Sequence, residues 1–337
     1  MTGVGFESAV SRRQALPTWW CREHDADLQP RDGNLYCPGG DHVVACRGGV
    51  PRFVNGSTYA DAFGLQWNTY RQTQLDSFTG TSISRERLRR NLGEHLWERL
   101  SGASVLEGGC GAGRFTEVLL SQGARVISVD LSEAVDANAE NLPPDDKHRV
   151  GQADIMDLPL RPQQFDIVLC LGVVQHTPNP EDTIAQLYEQ VAAGGSLVFD
   201  HYTFSLPRMT RVTAPLVRKW LIRQPPERGL EITIQLVNRL LPLHRRKWPL
   251  ARVVRRISPI TSYYHAYPDL PDHLRREWAL LDTHDSLTAT HKHMRTCGQL
   301  RRQLERLGAQ DIVCARGARG GIGVEARARR PDAVRPG

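Results

Sequence analysis

The chain of 337 residues is 40% hydrophobic and 7% aromatic, which is enough to bury one large core with additions around it. No apolar run reaches the length of about 20 residues that spans a bilayer. The N-terminus also lacks a basic region followed by an apolar stretch, so we expect a soluble cytoplasmic protein. Seven cysteines, an odd number, argue against disulfides. The formal net charge of +6 is concentrated in residues 205–260, where thirteen Lys and Arg stand against two Glu.

The N-terminal segment contains two pairs of potential metal ligands. Cys21 is followed by His24, and Cys37 by His42, with twelve residues between the pairs. Each pair lies in a turn rich in Gly, Pro or Asp, so the two can converge on a tetrahedral zinc ion. The alternative is a group of cysteines that pack as small apolar side chains without metal.

Residues 59–80 join this segment to the rest of the chain. Phe63, Trp67 and Tyr70 recur at roughly helical spacing, which predicts a linking helix with one buried face. Arg71 follows them, and an arginine that becomes buried needs an anion.

The most informative pattern is at residues 105–113, which read Val-Leu-Glu-Gly-Gly-Cys-Gly-Ala-Gly. An apolar run that ends in Glu107 predicts a buried strand. The glycines that follow occupy every second position, which is typical of a tight turn into a helix where a ligand touches bare backbone. These glycines are Gly109, Gly111 and Gly113.

The next elements extend a nucleotide-binding pattern. Helical spacing is expected over 114–122, and a second apolar strand over 124–129 ends at Asp130. An acid about twenty residues past the first strand holds ribose hydroxyls in doubly wound nucleotide-binding folds. We therefore expect a cofactor that carries a nucleoside.

The glycine spacing narrows the choice of cofactor. A dinucleotide fingerprint reads G-x-G-x-x-G and rests a pyrophosphate on the helix N-terminus, whereas this chain has G-x-G-x-G preceded by Glu107. A carboxylate there would repel a phosphate and favour an ammonium or sulfonium group. With this motif the chain resembles class I S-adenosylmethionine-dependent methyltransferases, whose first motif is acid-x-G-x-G-x-G. A glycine-rich turn in another α/β fold is the alternative.

Later segments occur in the order typical of that family. Strands are expected at 150–153, 165–170 and 196–199, with a helix at 181–191 before the last of them. The resemblance implies a doubly wound, seven-stranded Rossmann-like α/β sheet, with S-adenosyl-L-methionine as the cofactor.

The resemblance also assigns residues to the cofactor. Asp154 would accept a hydrogen bond from the adenine amine, Ile155 would pack on the ring, and Arg71 would meet the methionine carboxylate or the substrate. The set implied for cofactor binding is Glu107, Gly109, Gly111, Gly113, Asp130, Leu131, Asp154, Ile155, Leu171 and Arg71.

The N-terminal segment resembles the small zinc-ribbon-like module that precedes some bacterial small-molecule methyltransferase domains and closes with G-I/V-P-x-F, here at residues 49–53. Carried over by position, the resemblance implies a structural Zn²⁺ ion held by Cys21, His24, Cys37 and His42. His24 replaces the usual second cysteine, and the gap before His42 is one residue longer than usual. Cys46 is therefore an alternative to His42 as a ligand.

The segment after the fifth strand is too long for a loop in a compact domain and contains helical patterns at 209–223 and 231–241. We interpret it as a basic helical insertion that caps the substrate site. Core elements resume with a helix at 298–307 and strands at 311–315 and 320–328. The predicted division is 1–56 for the zinc-ribbon-like module, 57–100 for linking helices and a cofactor lid, 101–202 for the cofactor-binding core, 203–281 for the insertion, and 282–330 for the rest of the core.

A methyltransferase needs a base for an acceptor hydroxyl or ammonium group, and histidine has a suitable pKa. His176 follows the fourth strand at the sheet edge where ligands bind, and it ranks before His284 and His201 as the general base. Each of the three has a purely structural alternative. Asp282-x-x-Asp285 resembles a segment that faces the substrate pocket in related enzymes.

The acceptor is expected to be a small molecule methylated at O or N, as in the secondary metabolites and sugars that this family commonly modifies. The sequence after the fourth strand, Leu171-Gly172-Val173-Val174, lacks the N/D-P-P-Y/F and Pro-Cys motifs of DNA methyltransferases. The basic insertion has several interpretations: a solvated surface, attraction of an anionic acceptor, or contact with an anionic membrane. The functional alternatives are an RNA methyltransferase that uses the insertion, although nucleic-acid binding is not expected, and a non-catalytic accessory protein that binds the cofactor.

Overall fold

The computed structural model describes residues 15–204, 213–245, 251–264, 267, 270–317 and 323–333. Several parts of the sequence predictions lie outside these described residues: 1–14 of the N-terminal module, 209–212 of the first insertion helix, the basic positions 208, 211, 246 and 247, and 320–322 of the last strand.

The N-terminal segment folds into short antiparallel hairpins. Its strands are Trp20–Cys21 (β1), Ala26–Asp27 (β2), Gln29–Arg31 (β3), Asn34–Tyr36 (β4), Val43–Val44 (β5), Cys46–Arg47 (β6) and Val50–Pro51 (β7). β1 pairs with β2, β4 lies between β3 and β5, and β6 pairs with β7. Asp32 and Gly33 in one turn, and Gly48 and Gly49 in another, all have positive φ, as two-residue type I′ hairpin turns require.

Three helices connect this segment to the main sheet: Asp61–Thr69 (α1), Asp76–Thr79 (α2) and Ile83–Glu98 (α3). The predicted linking helix at 59–80 is therefore interrupted after Thr69. Gly93, with φ of +71°, kinks α3.

The main sheet has seven strands: Ser104–Gly108 (β8), Arg125–Asp130 (β9), His148–Gln152 (β10), Phe165–Cys170 (β11), Val191–Tyr202 (β12), Gln310–Arg316 (β13) and Gly323–Arg329 (β14). Their order in the sheet is β10-β9-β8-β11-β12-β14-β13. The first five in this order are parallel, and β14 runs antiparallel to both of its neighbours. This confirms the predicted doubly wound, seven-stranded Rossmann-like α/β sheet.

Helices cover both faces of this sheet, as parallel strands require. β8 is buried at every position. The helices that follow the first strands are Arg114–Ser121 (α4), Ala134–Asn141 (α5) and Pro180–Gln190 (α6). The strand order reverses between β8 and β11, so the crevice at their carboxyl ends is the topological switch point where ligands bind in such folds.

β12 begins earlier than the predicted strand at 196–199. Val191 already pairs with Phe165, and the register then shifts before Ser196 pairs with Ile167. Gly194 lies within this irregular stretch with φ of +74°. Gly194 and Gly195, which follow the predicted helix at 181–191, therefore lie in a bulge inside the strand.

The insertion is helical, as predicted. Its described helices are Thr213–Leu221 (α7), Pro226–Arg245 (α8), Ala251–Ile257 (α9) and Asp272–Thr288 (α10), after which Cys297–Arg306 (α11) leads into β13. Val237 and Leu241 of α8 pack in one cluster with Ala279 and Leu280 of α10. The predicted limit between 281 and 282 falls inside α10, so a single helix runs from the insertion into the core.

The N-terminal hairpins pack against the exposed edge of the sheet. Phe53 N–H donates to the Gln152 carbonyl at 2.8 Å, and Arg52 forms a parallel bridge with Gln152, which extends the sheet beyond β10. Trp19 packs tightly on Gly151 of β10, where a Cβ would lie 2.7 Å from the indole ring. The hairpins therefore cover an edge strand that would otherwise present unpaired backbone groups.

Among the described helices, none combines the length and the apolar character that crossing a membrane requires.

Candidate functional site

A pocket that is open to solvent lies at the switch point between β8 and β11. The turn after β8 and the residues that follow β9, β10 and β11 form one side of it, and helices α1 and α10 form the other. Of the residues predicted for the cofactor, this pocket brings together Gly109, Gly111, Asp130, Leu131, Asp154, Ile155 and Leu171.

The turn after β8 brings backbone to the pocket wall. Gly109 has φ of +73°, and a Cβ at this position would collide with the Val173 side chain. Gly111 has φ of +51°, and a Cβ there would lie 3.3 Å from the Trp67 ring. Gly113 is not part of the pocket lining, but its φ of +94° starts α4 and a Cβ there would lie 2.8 Å from Leu142. Only glycine fits the first and third positions without displacing a neighbour.

Asp130 holds this turn in place. Its carboxylate accepts hydrogen bonds from the Gly111 N–H at 3.0 Å and from the N–H and hydroxyl of Ser132 at 2.9 and 2.7 Å. Burial raises the pKa of Asp130 above its usual range. Because Asp130 also lines the pocket, one carboxylate both fixes the glycine turn and faces a ligand.

Asp154 and Ile155 lie where β10 ends. Asp154 caps a short 3₁₀ turn by accepting the Met156 N–H at 2.9 Å. Ile155 packs against Gly108 at the end of β8: a Cβ at Gly108 would lie 3.3 Å from Ile155 Cδ1. Tyr59, which the sequence analysis did not select, lines the same end of the pocket, and burial raises its pKa.

Glu107 does not face the pocket. The strand alternation of β8 points its side chain towards α4, where it accepts the Thr116 hydroxyl at 2.6 Å and the Ser128 hydroxyl at 3.4 Å. The side chain is buried, and burial raises its pKa to about 8. Glu107 is therefore placed outside the pocket lining, and its predicted attraction for the cofactor's positive charge stays a prediction.

Arg71 is also placed away from the pocket. α1 ends at Thr69, and Arg71 forms an ion pair with Glu140 at 2.9 Å, with 42% of its side chain exposed. Arg71 is thus a partly exposed arginine that pairs with an exposed glutamate, and the argument that a buried arginine needs an anion does not apply to it. The prediction of a cofactor contact from Arg71 is not supported by this position.

Two other arginines line the pocket instead. Arg114 donates to the Ser84 hydroxyl and to Gln74 Oε1, both at 2.9 Å. Burial, with repulsion from Arg87, lowers the pKa of Arg114 to about 9. Arg87 forms a 2.7 Å ion pair with Asp200 at the end of β12. The sequence did carry a signal for Arg114, because it immediately follows the last glycine of the motif.

His176 lines the pocket from the loop after β11. Its Nδ1 is 3.0 Å from the His291 carbonyl, so this nitrogen carries the proton and Nε2 has the free lone pair. Nε2 lies 3.4 Å from both the Tyr202 hydroxyl and Asp285 Oδ1. Burial lowers the pKa of His176 to about 4, so the imidazole is neutral at pH 7.

His201 and His284 are buried but do not line the pocket. His201 Nδ1 lies 2.8 Å from the Tyr202 carbonyl. The alternation of β12 points Tyr202, rather than His201, at His176. His284 Nδ1 donates to Gln66 Oε1 at 2.6 Å, and only Gln66 reaches the pocket. The prediction that either histidine is a general base does not agree with these positions.

Asp282 and Asp285 are three residues apart on α10, so they share one helix face, and both line the pocket. Burial and the neighbouring Asp285 raise the pKa of Asp282 to about 7. The pocket lining therefore includes a neutral imidazole, two carboxyl groups and the two arginines.

The predicted metal ligands lie together in the N-terminal hairpins. The sulfur and nitrogen atoms of Cys21, His24 and Cys37 all lie within 4.8 Å of one another, and His42 Nδ1 is 3.3 Å from Cys21 Sγ. Although burial acts to raise the pKa of Cys21, hydrogen bonds from His42 and His24 lower it to about 6. Within the described residues the mutually close group consists of those three side chains; His42 adjoins it through Cys21, whereas no contact joins Cys46 to it. This donor set fits a zinc ion, and His42 rather than Cys46 lies at the cluster.

Sequence comparisons identify the domain that carries the pocket. Residues 106–199 match the family model described as a methyltransferase domain. The ubiquinone biosynthesis O-methyltransferase of Pseudomonas entomophila (strain L48) is 35% identical over 104 residues, which are 30% of this chain. That of Pseudomonas putida (strain GB-1) is 35% identical over 103 residues, also 30% of this chain. The chain spans 44% of the length of each of these relatives.

Solved structures overlap more of the chain at lower identity. An S-adenosylmethionine-dependent methyltransferase from Mesorhizobium loti is 20% identical, with a TM-score of 0.43, over 73% of this chain and 96% of the other. The CMeT domain of the citrinin polyketide synthase is 12% identical, with a TM-score of 0.47, over 81% of this chain and 60% of the other. The family match therefore supports a methyltransferase domain that runs from β8 to β12.

Proposed function

We propose that this domain is an S-adenosylmethionine-dependent methyltransferase that methylates O or N of a small molecule. The observation that supports it most is the pocket at the switch point, where bare backbone and Asp130 and Asp154 face His176 and Asp282. Relatives that match the domain are named as O-methyltransferases of ubiquinone biosynthesis, which is consistent with a small acceptor.

The residues present fit this cofactor. The turn at Gly109 and Gly111 presents backbone without a Cβ at the pocket wall, and Asp130 and Asp154 supply carboxylates for ribose and adenine groups. The apolar side chains of Leu131 and Ile155 would lie against the adenine ring. When bound, S-adenosylmethionine supplies an activated methyl group, and catalysis then depends mainly on alignment and on exclusion of water.

His176 is the proposed base for the acceptor. Its Nδ1–H is fixed by the His291 carbonyl, so its Nε2 lone pair can take the proton from a hydroxyl or ammonium group. The Asp285 carboxylate, 3.4 Å from Nε2, would stabilise the imidazolium that forms. Tyr202 holds the ring edge on the other side.

The test uses binding and group transfer together. Calorimetry should show S-adenosylhomocysteine binding at micromolar affinity and no preference for NAD. Incubation of the protein with methyl-labelled S-adenosylmethionine and a small-molecule extract should put label into low-molecular-weight products. Preference for NAD would refute S-adenosylmethionine as the cofactor. Label in total RNA would show that the acceptor is RNA, and binding of S-adenosylhomocysteine without any methyl transfer would support the non-catalytic accessory role.

We also propose that the N-terminal cluster holds one structural zinc ion. The support is the convergence of two sulfurs and two imidazoles from separate hairpins. Four protein ligands leave no open position, which is typical of a structural rather than a catalytic zinc site. A Cβ at Gly39 would lie 2.7 Å from His24 Cβ, so the chain wraps closely around this ligand. Bound zinc would hold together hairpins that are too short to be stable alone.

A further inference from the structure

Exposed apolar side chains are concentrated in the insertion. Nine large hydrophobic residues among the described parts of the chain are exposed, and six of them lie between residues 204 and 257. The sequence from 205 to 260 also has thirteen Lys and Arg, two Glu and no Asp. Apolar exposure and positive charge therefore occur on the same short part of the chain.

One face of α7 combines the two. Leu216 is 69% exposed and Trp220 is 51% exposed, and their spacing of four residues puts them on the same side of the helix. Lys219, three residues after Leu216, lies on that side, and Arg223 lies in the turn directly after the helix; both are exposed. Neither of these two cations has an acidic partner among the residues that the structure describes. This face therefore exposes its apolar and its charged groups to solvent.

α9 also exposes apolar side chains. Val253 and Ile257, four residues apart, are 53% and 50% exposed. The Thr213 hydroxyl at the start of α7 donates to the Ile257 carbonyl at the end of α9, so the two helices adjoin there. We call this surface the α7–α9 patch and define it by Leu216, Lys219, Trp220, Arg223, Val253 and Ile257.

The patch is not a loosely packed part of the core. Leu221 of α7 is buried, and Arg218 donates to the carbonyls of Ala289 at 3.0 Å and Thr290 at 2.7 Å. α8 fills the inner side of the insertion with Val237 and Leu241. The inward face is thus already occupied, and none of the described residues buries the outward apolar side chains.

We propose that the α7–α9 patch docks on an anionic membrane surface. The apolar side chains would enter the boundary between headgroups and acyl chains, where an exposed Trp is favoured, and the cations would contact lipid phosphates. A second copy of the chain fits less well, because two segments of net charge +11 would face each other. RNA fits less well because Leu, Val and Ile offer nothing to a phosphate backbone.

The test is co-sedimentation of the full chain with vesicles of phosphatidylcholine, with and without phosphatidylglycerol. The protein should bind the anionic vesicles, with affinity that falls as salt rises. Leu216→Ser/Trp220→Ser, which keeps every charge, should weaken this binding by about tenfold or more. Phe78→Ser is the matched control, because Phe78 is 55% exposed but lies on α2; it should bind like the unchanged protein.

Lys219→Glu/Arg223→Glu should remove most of the salt-dependent binding while leaving S-adenosylhomocysteine affinity unchanged. The proposal is overturned if the Leu216→Ser/Trp220→Ser protein binds anionic vesicles as well as the unchanged protein does. It is equally overturned if the patch retains total RNA in preference to vesicles, or if light scattering shows a dimer that this double substitution dissociates.

Discussion

The Asp130 carboxylate accepts a hydrogen bond from the Gly111 backbone N–H at 3.0 Å, which ties the end of β9 to the turn after β8. Two neighbouring parallel strands are joined at the point where the domain would receive its cofactor. The turn and the carboxylate are therefore one unit, and a change in either should affect ligand binding through both.

Asp130→Ala should weaken S-adenosylhomocysteine binding by about 1.5–3 kcal/mol, or roughly ten- to a hundredfold in Kd, because a charge-assisted acceptor and the support of the turn are both lost. Calorimetry measures this directly. Asp146→Ala, at an exposed position, is the control and should leave the Kd unchanged. Equal S-adenosylhomocysteine affinities for the two variants would show that Asp130 does not contribute to ligand binding.

Glu107 gives a different prediction, since its carboxylate is buried against Thr116 and away from the pocket. Its pKa of about 8 in the folded chain is above the ordinary value of 4.5. The folded state then binds more protons than the unfolded state between these values, so its stability falls as pH rises from 4.5 through 8. Glu107→Gln cannot ionise and should be more stable than the unchanged protein at pH 8, by about 1–3 kcal/mol, with little difference near pH 5.

Urea unfolding at the two pH values measures this difference. Glu98→Gln, at an exposed position, should show no such pH-dependent gain. Calorimetry on Glu107→Gln should give an S-adenosylhomocysteine Kd within about threefold of the unchanged protein. A large loss of affinity would instead restore the role that the sequence motif assigned to this carboxylate.

Local patterns were sufficient to predict most of the sheet. The strand at 165–170 coincides with β11, and the glycines after β8 have the positive φ that their spacing indicated. Side-chain direction was harder to predict. Glu107 could point to either side of β8, and only one of these sides faces the pocket. Because β8 is buried on both faces, its apolar sequence does not alternate with polar residues and does not show which side Glu107 takes.

In the candidate site, too, contacts between distant parts of the chain were harder to predict than local structure. Arg71 is expected at the cofactor because a buried arginine needs an anion and because the family resemblance assigns it there, but α1 ends at Thr69 and the side chain pairs with Glu140. Arg87 reaches the pocket from α3 through Asp200, 113 residues later in the chain. A contact of that separation depends on how α3 packs on β12, which periodicity within either segment does not encode.

The base can be identified from the pH dependence of methyl transfer. His176, with its pKa lowered to about 4, remains neutral down to pH 5, so kcat/KM should be flat from pH 8 to 5 if it takes the proton. Asp282, with its pKa raised to about 7, loses its negative charge as pH falls below 7. If Asp282 were the base, activity would fall about tenfold for each pH unit below 7.

The matched variants are His176→Asn and Asp282→Asn. His176→Asn should lower kcat by about a hundredfold or more and leave the Kd for S-adenosylhomocysteine unchanged. Asp282→Asn should keep the flat profile and change mainly KM, because Asp282 lines the acceptor side of the pocket. A wild-type profile that declines below pH 7 and becomes flat in Asp282→Asn would transfer the role of base to Asp282.

The zinc proposal separates His42 from Cys46. His42 Nδ1 lies 3.3 Å from Cys21 Sγ, whereas Cys46 lies outside the cluster and donates its backbone N–H to Asn34 Oδ1 at 3.0 Å. Protein prepared without chelators should contain about one zinc per chain by elemental analysis. His42→Ala and Cys37→Ser should lose most of it, while Cys46→Ala should retain it.

Because the hairpins cover the edge of β10, loss of zinc should also lower the unfolding temperature of the N-terminal segment more than that of the core. If His42→Ala retains zinc and Cys46→Ala loses it, Cys46 rather than His42 is the fourth ligand. Unchanged protein without stoichiometric metal would refute the zinc site.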